Sequence, residues 1–188
     1  MRRGKEVGLA LTLALLVSVA ALLATPGFAA AKGKILSSGP INLPIPNDAP
    51  TGVFSPIGFG KKGTVRDINV GVRISHPNVG QLNLYLFKGE KYVPLATTVG
   101  TPGNDFGSGS ADCNGVFTVF DGAAPTFIQT GAPPFNGAYR PQGLLGLFDG
   151  DQSKGNWRLF AYDARAGTSG NINCWVLGIN YKKKKKKK

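Results

Sequence analysis

The sequence is poor in the residues from which most active centres are built. It has one histidine, His76, and two cysteines, Cys113 and Cys174. A zinc site needs three or four histidine, cysteine or carboxylate ligands at recurring spacings, and no such set is present. A serine-protease triad would have to take His76 as its base, and His76 lies in HPNVG, a turn between two strand-like runs. Helical periodicity is missing too: beyond residue 31 no stretch keeps apolar residues at i, i+3, i+4 and i+7. Charge is scarce where a nucleic-acid binder needs it. The formal net charge is +12, but seven of the 22 basic residues stand at 182–188 and three more at positions 2, 3 and 5. Residues 32–181 carry 12 basic and 9 acidic side chains. Lys61, Lys62, Arg66 and Arg73 form the nearest thing to a cluster and read as an ordinary exposed face. Nucleic acid is therefore not an expected partner of the body.

One long apolar run is present, LALTLALLVSVAALLA at 9–24, between the basic MRRGKEVG and the small residues of TPGFAAA. That order predicts a secretory signal peptide over 1–31, cleaved after Ala29 or Ala31. The alternative is an uncleaved membrane anchor, since the run extended to Val7 nears the lower limit for a span. Export predicts a location outside the cell or at its envelope. It also places Cys113 and Cys174 in oxidising conditions, so a single Cys113–Cys174 disulfide is expected, with a pair of free buried thiols as the alternative. About 157 residues remain from Lys32 onward, enough for one domain with its own core. The expected division is a linker at 32–38, a domain at 39–181 and a tail at 182–188.

Within 39–181 the signal is period two. TVRDINVGVRIS at 64–75 puts Ile68, Val70, Val72 and Ile74 on one face, with Val65 out of phase. QLNLYLF turns Leu82, Leu84 and Leu86 inward. GNWRLFAYD aligns Trp157, Leu159 and Ala161, and INCWVLGINY aligns Trp175, Leu177 and Ile179 with Cys174 opposite. INLPIP fits an edge strand, where proline is tolerated. YVPLATTV, VFTVF and LLGLF are further short candidates, and 101–115 reads as a long surface loop. Short strands between Gly, Pro and Asn turns predict an all-β fold, a jelly-roll-like antiparallel β-sandwich of about eight strands.

The blocks INLPIPND, VGVRISHPNVGQLNLYL, VFTVFDGAAP, FNGAYRPQGLLGLFDG and KGNWRLFAYDARAGTSGNINCWVLGIN occur in an order that resembles the P domain, or P/Homo B domain, of subtilisin-like proprotein convertases. The resemblance spans about 39–181. It implies a jelly-roll-like sandwich that stabilises or regulates a subtilisin-like serine protease and carries no catalytic residue. The family's association with serine-type endopeptidases and proteolysis belongs to the neighbouring protease domain, which this sequence does not contain. Two carboxylates of the family pattern are replaced, by Gln81 and Gly122, which weakens any calcium site built there.

The expected function is thus a non-catalytic, exported module for a protein partner, a subtilisin-like protease or another exported protein. Envelope glycan or anionic-surface binding is the alternative. GTSG at 167–170 reads as a hairpin turn, not a nucleophile, because a strand and not a helix follows Ser169. Structural calcium is an open expectation at Asp105, Asp112 and Asp121, loop carboxylates of the type calcium takes; turn capping is the plainer role. Tyr85, Tyr92, Phe106, Tyr139 and Tyr162 are candidate exposed rings for glycan contact, with packing as the plainer reading unless two form a contiguous exposed pair. Lys182, Lys183, Lys184, Lys185, Lys186, Lys187 and Lys188 cannot form a core, and are expected to be a disordered tether to an anionic membrane or cell wall. A tail added for solubility is the alternative.

Overall fold

The structure, a computed structural model, describes residues 33–183. The expected signal peptide and Lys184 to Lys188 lie outside the described residues. Ten strands form: β1 (Lys34–Ser37), β2 (Leu43–Ile45), β3 (Val53–Phe59), β4 (Thr64–Ser75), β5 (Leu82–Lys88), β6 (Lys91–Thr97), β7 (Thr118–Asp121), β8 (Gly137–Tyr139), β9 (Gly155–Asp163) and β10 (Gly170–Lys182). They build two sheets. One has the order β1-β10-β4-β7-β8, with β2 also pairing β10, and the other the order β3-β9-β5-β6. All pairings are antiparallel except β7 with β8. The β-sandwich is therefore as expected, with two more strands than counted from sequence.

Alternation dictates the core. Ile68, Val70, Val72 and Ile74 of β4 and Trp175, Leu177 and Ile179 of β10 face Leu82, Leu84 and Leu86 of β5 and Trp157, Leu159 and Ala161 of β9, all buried. Side chains that point alternately up and down leave each strand one core face. The misplaced phase of Val65 has a local cause. The β4–β10 register slips between Asn180 and Tyr181, which pair with Asp67 and Val65, so the strand gains a residue and Val65 returns to the core. Trp175 on β10 donates its indole N–H to Ser55 Oγ on β3 at 2.8 Å, a hydrogen bond from one sheet to the other through the interior. Pro56 and Pro94 sit on β3 and β6, the two edges of the four-stranded sheet, where a missing N–H costs no ladder bond.

The outer face of the larger sheet is covered. Phe117, Val119, Cys174 and Val176 form a second buried cluster beneath the loop that precedes β7. Cys113 and Cys174 are disulfide-bonded. Arg73, on the face of β4 read as exposed, is buried here. It donates to the carbonyls of Asp112, at 2.6 Å, and Asn114. The Asp112 carboxylate lies 3.5 Å from the same guanidinium. Phe106 also bridges to Ile74, so the segment read as a surface loop is tied to the sheet.

Three local expectations change. LLGLF forms a 3₁₀ turn, Leu145–Phe148, instead of a strand, because Leu145 and Phe148 are buried while Leu144 and Leu147 point outward, a period of three. GTSG is not a hairpin: β9 and β10 belong to different sheets, so the turn carries the chain across the sandwich. Residues 34–37, read as linker, form the edge strand β1 on β10.

Candidate functional site

His76, Asp163 and Ser169 come near one another at one end of the sandwich. His76 Nε2 lies 3.1 Å from Asp163 Oδ2, and both side chains are fully buried. Ser169 lines a shallow depression with His76, Asn104 and Asp105. The arrangement is not that of a nucleophile and its base. His76 Nδ1 accepts from the Asn78 N–H at 3.1 Å, so the ring proton is on Nε2 and is donated to Asp163. Asp163 Oδ1 accepts from the Arg165 N–H. Neither ring nitrogen is left to take a proton from a hydroxyl. The edge that His76 turns to Gly170 is carbon, since a Cβ built on Gly170 would stand 2.6 Å from Cδ2. The pair holds the end of β4 against the end of β9.

The three candidate calcium ligands are not brought together. Asp105 accepts the His76 N–H at 2.9 Å and the Asn104 amide at 3.3 Å. Asp121 caps its own turn by accepting the Ala123 N–H at 2.8 Å. Asp112 accepts from the Asn114 N–H, the Ser110 hydroxyl and the Asn114 amide. Those donors, with Arg73 alongside, hold its carboxyl below the usual aspartate range. Among the described residues no three His, Cys, Asp or Glu side chains gather where they could hold a metal ion. Each of the three aspartates instead accepts a hydrogen bond from its own turn or loop, the plainer role.

Aromatic rings gather elsewhere, on the outer face of the four-stranded sheet. The phase of β5 that is not in the core carries Tyr85 and Phe87, that of β9 carries Arg158, Phe160 and Tyr162, β3 adds Phe54 and β6 adds Tyr92. The register makes them direct neighbours: Phe54 and Tyr85 both pair with Phe160, and Phe87 pairs with Arg158 and Tyr92. Ring centroids lie 4.5 Å apart for Phe54–Phe160, 5.2 Å for Phe87–Tyr92, 5.9 Å for Tyr85–Tyr92 and 6.3 Å for Tyr85–Tyr162. The Arg158 guanidinium sits 4.7 Å above the Phe54 ring, a cation–π contact, and donates to the Gly89 carbonyl. Phe54 is 44% exposed and Tyr92 53%. Burial, with Tyr162 and Tyr92 nearby, pushes the Tyr85 phenol up, so it stays a neutral hydrogen-bonding group.

Of the five rings singled out in the sequence, Tyr85, Tyr92 and Tyr162 are thus in one contiguous set, in which Tyr92 is exposed and Tyr85 and Tyr162 are half-buried. Phe106 is buried and stacks on Phe135 at 5.0 Å, and Tyr139 packs edge-on to Phe135. Sequence reasoning missed Phe54, Phe87 and Phe160. The signal for two of them was the phase: Phe87 shares parity with Asn83, and Phe160 with Asn156 and Arg158. Phe54 and Tyr92 are the exposed members of these six rings, and Tyr85, Phe87, Phe160 and Tyr162 are half-buried between them.

No family model matches the chain, and no curated protein matches it. Among solved structures it is similar to the serine protease of Aeromonas sobria, at 13% identity over 78% of this chain and 26% of that one, with a TM-score of 0.49. It is also similar to a chain of the Aeromonas sobria serine protease and chaperone complex, at 14% identity over 79% of this chain and 26% of that one, with a TM-score of 0.50. The chain spans about a quarter of the length of these structures, and at such identities the likeness is one of fold.

Proposed function

We propose that the protein is an exported, non-catalytic module of the P/Homo B kind, which docks through the outer face of its four-stranded sheet on a subtilisin-like serine protease. The observation that carries the reading is the aromatic set around Phe160 with Arg158 at its centre. Protein interfaces are enriched in Tyr, Phe and Arg and depleted in Lys, Glu and Asp at their cores. Truncations that cost most binding energy fall on such rings and arginines. This face has that composition. The fold likeness to a chain of a bacterial serine protease and chaperone complex supports the choice of partner, as does the sequence resemblance. Ser169 and His76 have no role in this reading.

Hydroxyl-radical footprinting tests it. The chain is labelled alone and after mixing with a subtilisin-like catalytic domain. Phe54, Tyr85, Tyr92 and Tyr162 are expected to lose reactivity together in the mixture. Protection confined to the disulfide-bonded loop or the turns would place the interface elsewhere. The contiguous rings of Tyr85, Tyr92 and Tyr162 favour a second reading, in which the same face stacks on sugar rings of an envelope glycan. Protection by soluble cell-wall oligosaccharides, and not by the protease domain, would select it.

A further inference from the structure

The charge of the described body is polarised along the strand axis. At the end where β3 turns into β4, Lys61 and Lys62 are exposed. The Lys61 carbonyl accepts from Ser153 Oγ at 2.7 Å, which brings the exposed Lys154 beside them. Thr64 pairs with Lys182, so the exposed Lys182 and Lys183 leave the sheet next to the same turn. Lys34, at the start of β1, pairs with Ile179 one short step away. Among the described residues none of these six lysines forms a salt bridge. The acids near them are Asp151, which is ion-paired to Lys91 at 2.9 Å, exposed Glu90 on the β5–β6 turn, and Asp67, Asp121 and Asp149 set further back. The opposite end, where β4 and β9 finish and β10 begins, carries Asp48, Asp105 and Asp163 against Arg165.

The described chain therefore enters, at Gly33, and leaves, at Lys183, by the basic end. In the sequence, the apolar run at 9–24 precedes this end and five more lysines follow it. We propose that this end of the sandwich is itself a binding face for anionic phospholipid headgroups, with Lys61, Lys62 and Lys154 acting together with Lys182 and Lys183 at the end of β10. Three separate segments supply the charge, so it is spread over an end surface instead of along one strand. Such a spread suits a plane of phosphates: each lysine near an anionic bilayer adds about a fivefold gain in partition at low salt, and the gain falls away within a Debye length. With the strands standing on that plane, the aromatic face is turned sideways and stays open to a partner.

The test is co-sedimentation of the full chain with vesicles of phosphatidylcholine alone or mixed with phosphatidylserine, at low and high salt. Three proteins are compared: the parent, the Lys61→Gln/Lys62→Gln/Lys154→Gln variant with the tail intact, and a variant with Lys182 to Lys188 all changed to Gln and the body intact. The parent should bind the phosphatidylserine vesicles in a salt-sensitive way. The body variant should bind about 10–100-fold more weakly, with an unchanged unfolding midpoint because its three sites are exposed turn positions. The tail variant should keep measurable, salt-sensitive binding. A body variant that binds like the parent overturns the proposal, as does equal, salt-insensitive binding to both lipid mixtures. Equal affinity for a short DNA duplex at matched phosphate concentration would overturn the assignment to a lipid surface.

Discussion

Removing the disulfide by Cys113→Ala together with Cys174→Ala should cost a large part of the stability of the domain. The bond closes a loop over a sequence separation of 61 residues. Chain-entropy reasoning gives about 4 kcal/mol for a loop of that length, against total stabilities of about 5–15 kcal/mol for ordinary domains. For a chain of this size, 1 kcal/mol moves the midpoint by about 2–4 °C, so the shift should be on the order of 10 °C downward. The native side adds a second term. Arg73 holds the same segment through the Asp112 and Asn114 carbonyls, and once the segment is free to lift, its guanidinium loses those partners in a buried site. Arg73→Met alone should cost about 1.5–3 kcal/mol, the range for hydrogen bonds from a charged group. Combined with the cysteine changes it should cost less than the sum, because both act on residues 112–114. The assay is urea unfolding of the parent, the cysteine double variant, Arg73→Met and the combination, read from tryptophan fluorescence since Trp157 and Trp175 are both in the core. A cysteine double variant within about 1 kcal/mol of the parent would refute the loop-entropy argument. Full additivity with Arg73→Met would refute the claim that the two hold one segment.

Trp175→Phe should destabilise by about 1–3 kcal/mol, because it strips the buried Ser55 hydroxyl of its donor; adding Ser55→Ala should restore part of the loss, and denaturant midpoints check both. Acid should loosen the segment over β7. The folded pKa of Asp112 is depressed, so its contribution is complete above the ordinary aspartate value of about 3.9 and is lost as pH falls through its lower folded value. Asp112→Asn should flatten that acid limb. The sign reverses at Asp67, whose pKa burial and the neighbouring Asp121 raise, so Asp67→Asn should stabilise the protein at neutral pH and have no effect once Asp67 is protonated, as thermal midpoints across pH will show.

The strands that build the core were legible because each keeps its alternation over at least five residues, with breaks only where the β4–β10 register slips, at Ile172/Cys174 and Asn180/Tyr181. Ile68 to Ile74 of β4, Leu82 to Leu86 of β5, Trp157 to Ala161 of β9 and Trp175 to Ile179 of β10 show apolar side chains at every second position, and each strand buries that set. β3 was missed because VFSPIGF places Ser55 inward, where it is satisfied only by Trp175 from 120 residues away. β8 was missed because three residues of GAY carry no periodicity, and only a parallel neighbour makes them a strand. The same distinction separates what could be read of the site. A ring on the polar phase of a strand can be seen in the sequence, as at Phe87 and Phe160. That β3, β9, β5 and β6 lie side by side in that order, and so turn scattered rings into one surface, is set by non-local pairing. Arg73 was read as exposed for a related reason: nothing in TVRDINVGVRIS says that a loop some 40 residues on folds back over it.

The central claim is that the outer face of the four-stranded sheet is the docking surface for a subtilisin-like protease domain. Isothermal titration of such a catalytic domain with the parent and with Phe54→Ser/Tyr85→Ser/Phe160→Ser tests it most directly. The account predicts saturable binding by the parent and at least about a 100-fold loss in the variant, the scale of several interface anchors removed together. Each variant is first shown to keep its cooperative unfolding transition. Binding of the variant at the parent's affinity, or no binding by the folded parent to the catalytic domain, would contradict it.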